Sequence, residues 1–93
     1  NVRQVGAYLE EKLAALVDNY DFIEAHRGVG LMQGLVFSIP VGDIISRALE
    51  KGLILINAGT NIIRFVPPLV ITRENVDDMI VILRDCLDEV KIS

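Results

Sequence analysis

With 93 residues, 52% of them hydrophobic, the chain can close one core and has no length for a second. A net charge of −4 with scattered basic residues argues against a nucleic-acid or anionic-membrane surface. The single cysteine, Cys86, excludes an internal disulfide and a cysteine-based metal site, and fits a reducing cytoplasm. No apolar run reaches the roughly 18 residues that span a bilayer, and the polar N-terminus carries no signal-peptide pattern. Asn1 stands where an initiator methionine would and runs straight into a helical pattern, so residues 1–93 are expected to be one domain cut from a longer chain.

Val2, Val5, Leu9, Leu13, Leu16, Val17 and Tyr20 recur at steps of three and four, which predicts an amphipathic helix ending at Asp18-Asn19. Gly6 weakens that helix by roughly 1 kcal/mol relative to alanine, so packing must hold its first turns. Residues 22–26 form a short extended candidate. Residues 27–39 then read as a glycine-punctuated strand buried on both faces. Gly28, Gly30 and Gly34 have the wrong spacing for a dinucleotide loop, and a strand follows where such a loop needs a helix. Pro40 and Gly42 close the strand.

Asp43 is positioned to cap a second helix running to Lys51, with Gly52 as its left-handed stop. Residues 53–56 are a β-rich run, residues 57–61 have turn chemistry, and residues 62–66 form the next strand, ended by Pro67-Pro68. The five-residue connection suits a hairpin. Thr72 opens the last helix as N-cap, with Glu74 in its first turn and Val76, Met79, Ile80, Leu83, Leu87 and Val90 as its buried stripe. Cys86 flanks that stripe as a small hydrophobe. The order helix, two strands, helix, two strands, helix predicts an α+β domain, a short, mainly antiparallel sheet covered by helices.

Candidate chemistry is sparse. His26 has no second histidine or cysteine near it in sequence and is expected to bond backbone beside a strand, so no metal site is expected. No serine or cysteine has a nucleophile setting, and Lys12, Lys51 and Lys91 fall on polar helix faces or ends, so no catalytic residue is expected. Arg64 stands apart. It sits mid-strand, sharing a face with Ile62 and Val66 while Ile63 and Phe65 face the other way. Its planar fork of donors matches a carboxylate or phosphate, or else one of the thirteen acidic residues as an internal ion pair.

Three stretches are similar to a known family: Arg-Gly-Val-Gly-Leu-Met-Gln-Gly at 27–34, Gly-Leu-Ile-Leu-Ile-Asn at 52–57, and Ala-Gly-Thr-Asn-Ile-Ile-Arg-Phe-Val-Pro-Pro-Leu at 58–69. They resemble the C-terminal small domain of class III pyridoxal-phosphate aminotransferases, nearest the acetylornithine branch. The resemblance implies a homodimer in which a large domain, outside this chain, binds pyridoxal phosphate and carries its lysine. The small domain would close over the amino acid and 2-oxo acid substrates, with no cofactor of its own. Arg64 would bind the substrate α-carboxylate, and Gly59, Thr60 and Asn61 would shape substrate entry. A related ω-amino acid branch (ornithine, succinylornithine or 4-aminobutyrate) and a standalone carboxylate-binding module stay open as alternatives.

Overall fold

A computed structural model describes residues 2–29, 32–65 and 72–92. Seven elements follow in chain order: α1 (Val2–Asn19), β1 (Ile23–Val29), β2 (Met32–Phe37), α2 (Gly42–Glu50), β3 (Leu55–Asn57), β4 (Ile62–Phe65) and α3 (Arg73–Ile92). The strands form one antiparallel sheet in the order β1-β2-β4-β3. The expectations for Gly30, Val66, Pro67 and Pro68 concern residues outside those described.

The core lies between the sheet and the helices. In α1 the residues Val5, Leu9, Leu13 and Leu16 are buried, as their spacing dictates, and Gly6 is buried beside them. In α3 the stripe Val76, Ile80, Leu83 and Leu87 is buried with Cys86, whose thiol burial pushes up from its ordinary pKa. The sheet contributes Leu35, Phe37, Leu55, Ile63 and Phe65, alternate residues pointing one way. The opposite face stays open, with Met32 71% exposed and Ile56 43%. The expectation of a strand buried on both faces is therefore corrected: helices cover one side only.

Two boundaries also differ from the sequence reading. Arg27, Gly28 and Val29 belong to β1 and pair with Gly34, Gln33 and Met32 of β2, so the glycine-rich stretch is the end of one strand and the start of the next. Gly28 is required there because β2 passes close by. A Cβ at that position would lie 2.6 Å from Gln33 Oε1 and 2.8 Å from Gln33 Cα, and would also meet the Met32 carbonyl. Asp43 is not the cap of α2. The N-cap is Val41, which makes no side-chain capping bond, and Asp43 already lies in the first turn. There its carboxylate is on the favourable end of the helix dipole and accepts from Arg47 Nε at 3.0 Å.

The other punctuation matches the reading. Gly52 adopts φ +92°, and the Leu53 amide donates to Ala48 O at 2.8 Å, the six-to-one bond of a left-handed helix stop. Thr72 Oγ1 accepts from the Asn75 amide at 3.1 Å while Asn75 Oδ1 accepts from the Thr72 amide at 3.0 Å, a reciprocal cap. Residues 57–61 turn the β3–β4 hairpin, with Asn57 Oδ1 accepting from the Gly59 amide at 2.8 Å.

Candidate functional site

Strand β4 places Arg64 on the open face. Its neighbours Ile63 and Phe65 are buried on the helix side, so alternation turns the guanidinium away from the core, where it is exposed and needs no internal counter-charge. Among the described residues it has no hydrogen bond or ion pair, so an internal ion pair does not account for it. Arg64 lines a cleft of about 530 Å³ on the outer side of the sheet. Val36 and Ile62, which pair across β2 and β4, give that cleft an apolar wall. Gly34, paired with Arg64, gives it a floor without a side chain.

The same cleft holds a residue the sequence did not single out. Arg27 pairs with Gly34 from the other side, so Arg27, Gly34 and Arg64 form one row across β1, β2 and β4. Residues opposite one another in a sheet point to the same face. Strand parity alone could not reveal this, because it needs the register of three strands.

Thr60 and Asn61 lie on the β3–β4 loop and are not among the described residues lining the cleft. The Thr60 carbonyl accepts from the Val41 amide at 3.1 Å. The Asn61 side-chain amide donates to Phe37 O at 2.9 Å, and the Asn61 backbone carbonyl accepts from the Phe37 amide at 2.8 Å. These bonds tie the loop to the end of β2 and the start of α2, and so fix where β4 begins.

His26 bonds a side chain rather than backbone. Its Nε2 meets Oε1 of Gln33, whose side chain is buried in the sheet. An amide oxygen can only accept, so the imidazole donates from Nε2, a tautomer assigned from the partner. Among the described residues no cluster of three or more His, Cys, Asp or Glu could hold a metal, and no helix is long and apolar enough to cross a membrane.

Residues 1–87 match the family described as aminotransferase class-III. The chain belongs to the class III aminotransferases. Its relatives include the acetylornithine aminotransferase of Gloeobacter violaceus, 45% identical over 85 residues, which covers 89% of this chain and 21% of that protein. That of Methanocaldococcus jannaschii is 36% identical over 90 residues, covering 97% and 23%. Among solved structures, acetylornithine aminotransferase from Elizabethkingia anophelis superposes with a TM-score of 0.85 at 27% identity, over 95% of this chain and 23% of that one. Lysine aminotransferase from M. tuberculosis superposes at 0.89 and 27%, over 96% and 21%. This class III aminotransferase chain thus spans about a fifth of the length of the curated relatives it matches.

The family implies pyridoxal phosphate for the whole enzyme. The cleft residues of this class III chain do not fit that aldehyde, which needs an amine partner. Lys12 and Lys91 sit 5.2 Å and 6.0 Å over the rings of Tyr8 and Tyr20, Lys51 donates to Glu89 at 3.1 Å, and none of the three lines the cleft. What the cleft presents is a pair of guanidiniums, donors suited to an anion.

Proposed function

We propose that residues 1–93 are the small, substrate-recognising and closing domain of an acetylornithine aminotransferase. The parent enzyme would move the amino group of N-acetylornithine to 2-oxoglutarate, giving N-acetylglutamate semialdehyde and glutamate for arginine biosynthesis. In this reading it works as a cytoplasmic homodimer. A large domain beyond these residues binds pyridoxal phosphate, which supplies the electron sink for amino transfer, and this chain alone has no turnover.

The observation that carries the reading is Arg64, an exposed mid-strand guanidinium on the wall of a cleft, with no partner among the described residues. The amino donor and the oxo acid each present a carboxylate, so one arginine can contribute to both half-reactions. Thr60 and Asn61, on the loop tied to β2 and to the start of α2, would shape substrate entry in the whole enzyme from outside the cleft lining described. Names of relatives support the acetylornithine assignment over other ω-amino acid branches, and substrate profiling of the full-length enzyme separates them.

The test is steady-state kinetics of full-length Arg64→Gln. Loss of a charge-assisted bidentate contact is expected to lower kcat/KM by about 2–4 kcal/mol for both the amino donor and the oxo acid. Unchanged kinetics for both substrates would overturn the assignment.

A further inference from the structure

We propose that Arg27 is a specificity-determining residue that makes this cleft a dicarboxylate site, taking one carboxylate while Arg64 takes the other. The inference rests on the reading of Arg64 as a carboxylate clamp and adds which substrates the second cation selects.

The first support is the register. Arg27 and Arg64 lie in one row with only Gly34 between them, so their Cα atoms are two inter-strand steps apart, about 9–10 Å. Gly34 keeps the space between them clear. A Cβ there would press on Ile63 O at 3.3 Å and would rise into the floor of the cleft.

The second support is the electrostatic state of the two side chains. Six other cationic side chains have partners. Arg47 and Lys51 pair with Glu89, Arg73 and Lys12 lie over Tyr8, Lys91 lies over Tyr20, and Arg84 interacts with the Tyr20 hydroxyl. Arg27 and Arg64 have none among the described residues, although the chain carries more acidic than basic residues. None of the described lining residues is acidic. Two like charges held over one cleft repel, and an anion between them relieves that repulsion.

The third support is shape. A single phosphate or carboxylate would have to draw both guanidiniums to one point. A short dicarboxylate places a negative group at each fork and lays its methylene stem along Val36 and Ile62. In the transaminase reading this divides the substrates. The 2-oxo dicarboxylate and its amino product engage both arginines, and the acetylated amino donor, with one carboxylate, engages Arg64 only.

The experiment is calorimetric titration of the full-length protein with glutarate and with pentanoate, which share a chain length and differ by one carboxylate. Arg27 is exposed, so its replacement leaves the core intact. Arg27→Gln is expected to weaken glutarate about tenfold or more and to leave pentanoate within about twofold, the loss of one charge-assisted contact. Arg27→Lys should recover part of the glutarate affinity, keeping the charge without the fork. In kinetics, KM for the oxo acid should rise while KM for the acetylated donor holds. Equal weakening of both probes by Arg27→Gln, or no change in glutarate, would overturn the proposal. Arg64→Gln serves as the separating control: if it weakens both probes while Arg27→Gln fails to discriminate, only the dicarboxylate inference falls. If Arg64→Gln weakens neither, the carboxylate-clamp reading falls with it.

Discussion

Tyr20 shows how one residue couples two helices to solution conditions. It closes the turn after α1, and its hydroxyl donates to Asp88 of α3 at 2.6 Å. Burial first, and then that bond to a carboxylate, push its pKa from 10.0 up to about 12. A raised tyrosine pKa means the folded state holds its proton longer than the unfolded one. The contribution is therefore complete below about pH 10 and is lost as pH rises through about 12. Thermal melts across that window should show wild type losing stability faster than Tyr20→Phe, which has no proton to lose. Tyr8, raised by its hydrogen bond to Asp77, titrates in the same direction in both proteins, so it cancels from the comparison. Gly28 is the opposite kind of residue, valued for the side chain it lacks, because Gln33 occupies the space a Cβ would need.

At the scale of elements, α2 and α3 are joined by a small charged network. Arg47 donates to Asp43 on its own helix and to Glu89 on α3, both at 3.0 Å, and Lys51 donates to Glu89 at 3.1 Å. Arg47 and then Lys51 hold the Glu89 carboxyl below its ordinary pKa. That sign makes the network's contribution present above the usual carboxylate range and lost as pH falls through it. All four side chains are solvent-accessible, so salt weakens the link. The α3 N-terminus depends instead on neutral hydrogen bonds. Thr72→Ala removes the acceptor for the Asn75 amide and should cost about 1 kcal/mol, read as a lower urea midpoint with an unchanged slope, while Thr72→Asp keeps the cap.

For the whole molecule, stability rests on one core shared by three helices and the inner face of the sheet. Leu83 is fully buried in it. Leu83→Ala should cost about 2–5 kcal/mol, a large part of the 5–15 kcal/mol typical of a domain. Equilibrium urea unfolding checks this, and a cost within that of a surface change would place the core elsewhere. The outer sheet face contributes nothing to that core. It combines Met32, Ile56, Val36 and Ile62 with two arginines that have no partner among the described residues, so the surface proposed for recognition is free of packing duties among those residues.

Much of this was legible in the residues themselves. The apolar stripes of α1 and α3, the Thr72 cap, the Gly52 stop and the β3–β4 turn are local. Each depends on neighbours within a few positions, where periodicity and backbone preference act directly. The orientation of Arg64 was legible for the same reason, since alternation along one strand needs no partner. The family could be read from the stretch around it. The tertiary structure decided the rest. Residues 35–37 are continuously apolar, which fits burial on both faces, and only the one-sided placement of the helices left the outer face open. Asp43 looked like a cap because caps are judged by residue type, yet the helix had already begun at Gly42. Arg27 gave no sign of a role, because a pair of charges two strands apart exists only once the register sets Gly34 between them.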